Sequence, residues 1–263
     1  NSKISVYPNK TIVYLSSLLL GFFLPFVILQ LRFAFDTKIH TKEDLIQKIG
    51  NDIPIIGEIP YIKSDEIKSI SLSESRNPLA ESIRMIIANL NFILFDKINK
   101  KNNIILVTSS VKGEGKTVIS VNVASLLSSK YKKILLIGAD LRNPQIHKFL
   151  DVNKNTKGLS DYIYKDDTDW KNLIIKKNNL DILLSGSIPP NPTELISSLK
   201  FKNFIDTVSK TYDFVIIDSA PCLLVSDTFE ISKFVDTTLY VVRSNFSDSN
   251  FFSISSIASF ASL

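Results

Sequence analysis

The sequence predicts a doubly wound α/β domain, a mostly parallel sheet covered by helices on both faces, preceded by one transmembrane helix. Three observations predict it. Short apolar runs rich in β-branched residues recur at Ile104–Val107, Ile134–Ile137, Leu180–Leu184, Phe214–Ile217 and Leu239–Val242, separated by helical or turn signals. Strands this apolar have both faces buried, which parallel sheets with crossover helices provide. Finally, the run Thr11–Leu31 carries no charge and is bracketed by Lys10 and Arg32. At about 1.5 Å per residue such a helix spans about 30 Å, a bilayer's hydrocarbon core.

Along the chain, residues 1–10 read as the end of an extracytoplasmic region and 11–35 as the membrane helix, in which Pro25 is tolerated. A buried core helix seldom stays uncharged on every face this long, and a signal-peptide core is shorter. Residues 36–77 read as a juxtamembrane segment and linker. Within it Thr41-Lys42-Glu43-Asp44 is an N-cap with acidic first-turn residues, opening a helix to about Ile49. Pro54 to Pro60 reads as an extended piece and a turn, and 61–77 as a polar linker. The main domain is 78–263. Its first helix runs from Pro78 to about Phe95, with Leu79, Ile83, Ile86, Ile87, Leu90 and Leu94 at helical spacing. A second helix starts at about Lys116, and Pro144 stands near the start of a third. Both termini look like cuts, since residue 1 is Asn and Ile257–Leu263 reads as mid-helix.

The chemistry lies directly after the first strand, in Ser109-Ser110-Val111-Lys112-Gly113-Glu114-Gly115-Lys116-Thr117-Val118. This is the phosphate-binding loop pattern Gly-x-x-x-x-Gly-Lys-Ser/Thr with Ser110 in the first glycine's place. Gly113 and Gly115 let backbone N–H groups turn inward around phosphate oxygens, and the following helix adds its positive end. Lys116 supplies a point charge to the β- and γ-phosphates, and the Thr117 hydroxyl can ligate Mg²⁺. The chain has eight glycines, so two within this strand-to-helix turn are informative. Residues 110–118 are therefore the candidate ATP-binding residues. Phe214-Val215-Ile216-Ile217-Asp218 is an apolar strand ending in a carboxylate, the second signature of P-loop nucleotide sites. Asp140, after the Ile134–Ile137 strand, can reach Mg²⁺ or a substrate hydroxyl. Lys116, Asp140 and Asp218 are the candidate catalytic residues, with Thr117, Asp140 and Asp218 around Mg²⁺.

Bulk composition narrows the function further. The chain is 44% apolar and 22% charged, as in folded proteins, and its net charge of +5 is scattered. A nucleic-acid binder gathers basic residues into a stripe, so no nucleic-acid partner is expected. One cysteine, Cys222, excludes an internal disulfide, and two distant histidines, His40 and His147, give no zinc site. We read Cys222 as a packed thiol, and Trp170 and Tyr162 as packing residues. Arg142 suits either a phosphate or an ion pair, and Asp227 has no assigned role. Because ATP is intracellular, the side carboxyl-terminal to the span is read as cytoplasmic.

With these motifs in hand, the chain resembles the bacterial tyrosine kinases of capsular and exopolysaccharide export. Tyr7-Pro8-Asn9-Lys10 and the span are similar to the end of that family's chain-length-determinant region, and Ile53–Pro60 to its juxtamembrane motif. The 113–117 loop, Ala139–Pro144, Pro189–Leu195 and Ile217–Pro221 are similar to its remaining blocks. The resemblance implies an inner-membrane protein-tyrosine autokinase that uses Mg-ATP, assembles into rings and regulates polysaccharide chain length and export. The sequence departs from the family in three places. Gly138 stands where the first aspartate of Asp-x-Asp, thought to be the general base, is usual. In the ring-assembly motif Glu-x-x-Arg-x-x-Arg, Glu81 and Arg84 fit but Ile87 replaces the second arginine. The family's tyrosine-rich tail is missing, the last tyrosine being Tyr240. The alternative is a catalytically impaired ATP-binding or ATP-hydrolysing regulator, in which nucleotide gates assembly. A positioning ATPase of the cell-division type is disfavoured by Val111, where that group's loop has lysine.

Overall fold

The structure is a computed structural model that describes residues 10–50, 53–61, 78–95, 103–130, 133–150, 152–165 and 167–251. The 62–77 linker, Tyr7–Asn9 and Ile257–Leu263 lie outside these residues. The chain divides into two units, residues 1–38 and 39–263.

The first unit is α1 (Lys10–Ala34), long and apolar enough to cross a membrane and without a buried residue. Pro25 lies inside it, and Ser16 and Ser17 donate to the Val13 carbonyl.

The second unit opens with Ile39 and α2 (Lys42–Ile49), started by the expected capping box between Thr41 and Asp44. The helix α3 (Pro78–Phe95) follows. The alternation then runs β1 (Asn103–Ser109), α4 (Lys116–Lys130), β2 (Ile134–Gly138), α5 (Leu159–Tyr164), β3 (Ile175–Lys177), β4 (Leu180–Leu183), α6 (Pro192–Ile196), α7 (Leu199–Thr211), β5 (Phe214–Asp218), α8 (Asp227–Ser232) and β6 (Thr237–Val241). The strands form one sheet in the order β3-β4-β2-β5-β1-β6. All neighbours are parallel except β3, a short antiparallel edge strand that the sequence pattern did not announce. Near Pro144 the chain makes only a 3₁₀ turn, Ile146–Phe149, where a helix was expected.

The period of two along each strand sorts the core into two layers. Ile105, Val107, Ile134, Leu136 and Ile216 face α3 and α4, and join Leu79, Ile83, Ile86, Leu90 and Leu127. Ile104, Leu106, Leu135, Ile137 and Val215 face α7, joining Phe201, Phe204 and Val208, with Trp170 and Tyr162 packed there as expected. Because both faces are covered, the reactive positions are left at the carboxyl ends of the strands. The juxtamembrane turn is pinned beneath α3: Asn89 donates to the Ile56 carbonyl at 2.7 Å, and a Cβ on Gly57 would meet Ile86 Cγ1 at 2.5 Å.

Candidate functional site

The site sits where β1 has β5 on one side and β6 on the other. Residues 110–115 form the loop from β1 into α4. Gly113 and Gly115 both have φ of +99°, a conformation that side-chain-bearing residues avoid, so the two glycines are conformational requirements. A Cβ on Gly115 would meet nothing within 4 Å, so that flank of the loop is open. Lys112 projects into solvent and Val111 and Val118 are half-buried.

The loop is braced from within and from behind. Buried Glu114 accepts the Val111 amide at 2.9 Å and the Ser247 hydroxyl. Ser110 shares a hydrogen bond with the Tyr240 hydroxyl at 2.8 Å. Arg243 donates to the Gly113 carbonyl at 2.9 Å. The segment Arg243–Ser247 is held in turn by the juxtamembrane chain, through Ile39 N–H to Ser247 carbonyl at 3.0 Å and Asn245 N–H to Ile39 carbonyl at 2.8 Å.

The three candidate catalytic residues do converge. Lys116 Nζ donates to Asp140 Oδ2 at 2.9 Å, and the Thr117 hydroxyl donates to Asp218 Oδ2 at 2.9 Å. Ser120, one turn further along α4, donates to Asp218 Oδ1 at 3.0 Å, a participant the sequence pattern did not single out. The Asp140 and Asp218 strand ends are tied together, since the amides of Ala139 and Asp140 donate to the Asp218 carbonyl at 2.8 and 3.0 Å. Asn143 N–H reaches Asp140 Oδ1 at 2.9 Å and fixes the carboxylate's orientation.

Both aspartates and the lysine are withdrawn from water. Burial pushes the Asp218 carboxyl up to about 6, against the opposing pull of Lys116 and the Thr117 hydrogen bond. For Lys116 burial alone would lower the ammonium's pKa, but the charges of Asp218 and Asp140 outweigh it and hold the group above its ordinary value. Such an ammonium stays protonated and offers a fixed positive charge.

The donor set suits a hard cation beside phosphates: one hydroxyl and two carboxylates, all oxygen. Among the described residues no group of three or more His, Cys, Asp or Glu could hold a metal alone, so phosphate and water oxygens would complete such a shell. The glycine conformations, the open flank and the buried cation fit a triphosphate. Gly138 ends β2 against Ser185, and a Cβ there would lie 2.6 Å from Ser185 Oγ and 3.3 Å from Ile146 Cδ1.

Arg142 and Asp227, left open by the sequence, pair with each other. Asp227 is fully buried and takes Arg142 Nε at 2.8 Å and the Thr193 hydroxyl at 2.6 Å. This joins the chain after Asp140 to α6 and α8. Cys222 is buried beside Tyr240, as a packed thiol should be.

Residues 102–242 match the family described as AAA domain. The chain is 31% identical over 253 residues to the tyrosine-protein kinase wzc of Salmonella typhi, covering 90% of this chain and 34% of that protein. It thus spans about a third of the length of such relatives. It is 35% identical over 177 residues to the tyrosine-protein kinase YwqD of Bacillus subtilis, covering 66% of this chain and 73% of that one. Among solved structures it is similar to the BceF tyrosine kinase domain, with a TM-score of 0.73 at 25% identity over 86% of this chain and 94% of that one. The kinase domain of Escherichia coli tyrosine kinase ETK is also similar, with a TM-score of 0.67 at 26% identity over 85% and 82%.

Proposed function

Because the chain belongs to the bacterial tyrosine kinases, we propose that it is a Mg-ATP-dependent protein-tyrosine kinase of capsular or exopolysaccharide export. The observation that carries this reading is the convergence of Lys116, Thr117, Asp140 and Asp218 on one strand-end crevice. Residues 110–118 would hold the phosphates, Lys116 would neutralise their charge, and Thr117, Asp140 and Asp218 would lie around Mg²⁺. When bound, Mg-ATP supplies the transferable γ-phosphoryl group, and Mg²⁺ spreads its developing charge. Gly138 offers no side chain to accept the attacking tyrosine's proton. Loss of a general base typically costs about 10² to 10⁴ in rate, while positioning and charge neutralisation carry phosphoryl transfer. We therefore infer a slow kinase acting on tyrosines of its own kind.

The chain's α1 and its kinship with wzc support residence in the bacterial inner membrane, with the P-loop domain cytoplasmic. The domain division would be an extracytoplasmic end at 1–10, a membrane helix over 11–35, a juxtamembrane segment over 36–77 and the kinase domain over 78–263. Self-association through α3 is part of the same proposal, and its partner would be the polysaccharide polymerisation and export machinery.

The deciding experiment follows the γ-phosphate of labelled Mg-ATP on the full chain, with Lys116→Ala as control. Label on tyrosine that vanishes in the control supports the kinase. Label released only as free phosphate would leave a nucleotide-gated regulator instead.

A further inference from the structure

Resting on the nucleotide reading above, we infer that Phe246 is the platform on which the nucleobase stacks. Lys116, Asp140 and Asp218 all lie on the β2 and β5 side of β1. The charged, metal-side end of a nucleotide thus points that way, and its nucleoside must leave the phosphate loop toward β6. There the chain turns sharply after β6, with Asn245 at φ of 60°, and sets the Phe246 ring against the loop. A Cβ placed on Gly113 would lie 3.3 Å from Phe246 Cζ and 3.7 Å from Cε1. Phe246, in the turn after β6, is 43% exposed, so part of its surface is open to a ligand.

Its surroundings keep it there. The Arg243 guanidinium lies 5.2 Å from the ring centroid while donating to the Gly113 carbonyl, so ring and loop are clamped by one side chain. Ser247, the next residue, is fully buried on Glu114. The ring's exposed side is a π-surface fixed beside the phosphate loop, the arrangement that captures a base without reading its edges. Arg243 would add a cation over the same stack.

The test separates base from phosphate. Affinities for Mg-ATP and for Mg-tripolyphosphate, which has no base, are measured by calorimetry on the full chain in detergent. Phe246→Ala should weaken Mg-ATP about tenfold, the usual loss on removing an aromatic stacking partner, and leave tripolyphosphate unchanged. Phe246→Trp should keep ATP affinity, whereas Phe246→Leu, apolar but without a π-face, should not. An equal loss for both ligands would show that the ring only shapes the loop, and full ATP affinity in Phe246→Leu would exclude stacking. Lys116→Ala, which should weaken both ligands, is the independent check. If it changes neither, the phosphate-loop assignment itself is wrong.

Discussion

Gly138 and Ser185 touch so closely that a Cβ on the glycine would lie 2.6 Å from Ser185 Oγ and 2.9 Å from its amide nitrogen. Position 138 therefore lacks a carboxylate and also the room for one. Introducing side chains into such packing costs about 1–3 kcal/mol. Gly138→Asp should lower the unfolding free energy by about that much, measured by urea denaturation. Ser185→Gly in the same chain should recover part of it, by removing the hydroxyl but not the amide. A fully stable Gly138→Asp with increased tyrosine phosphorylation would show that the strand end relaxes to admit the base.

The Arg142–Asp227 pair should be worth more than its exposed end suggests. Asp227 has no access to water, so Arg142→Ala leaves a buried carboxylate with the Thr193 hydroxyl and little else. Breaking a buried pair costs up to about 3–5 kcal/mol, and the half-exposed arginine places this case at the lower end. The double variant Arg142→Ala with Asp227→Asn should be less destabilised than the sum of its parts. Additive losses in thermal unfolding would sink the idea.

Ile87, the residue that departs from the ring-assembly motif, is buried in the layer between α3 and the sheet. Restoring the motif with Ile87→Arg should therefore destabilise the fold by at least about 2 kcal/mol, since the charge must be buried or the helix shifted. Glu81, exposed and paired with Arg84, should tolerate alanine with a change of less than about 1 kcal/mol. Sedimentation of the same variants would show whether α3 carries self-association.

Cys222 should be a slow nucleophile. Burial raises its pKa, outweighing the hydrogen bond from Tyr240 that lowers it. Only the thiolate reacts, so at pH 8 the folded protein holds less of it than a free cysteine does. Iodoacetamide labelling should be much slower in the native protein than in guanidinium, and should speed up as pH rises. Fast labelling at neutral pH would contradict the buried assignment.

Much of this fold is legible in the sequence because burial on both faces leaves a simple trace. Ile104–Val107 and Phe214–Ile217 are apolar at every position, and each became a central strand. The phosphate loop is legible for a different reason: its glycines are demanded by a backbone that few other residues adopt. What stayed hidden depends on partners far away in sequence. Ile175-Lys176-Lys177 is an edge strand with a charged face, and three residues give no usable period. Asp227 looks like any helix-opening acid until Arg142 and Thr193 close over it. Ser120 matters only because α4 brings it alongside Asp218, and Phe246 only because β6 delivers it to Gly113.

The strand order has a consequence for how the chain is made. β1 is made before every other strand described, yet its two neighbours are β5 and β6, the last two of the six. At about 5–20 residues per second, both edges of β1 wait several seconds for partners while the intervening chain is translated. Ile104–Val107 is apolar and β-branched, so during that interval it is an unguarded edge in the nascent polypeptide. The phosphate loop cannot take its final shape until Glu114 meets Ser247, which lies 133 residues further along the chain. A ribosome stalled before residue 214 would thus carry a β-strand competent to aggregate and no nucleotide site.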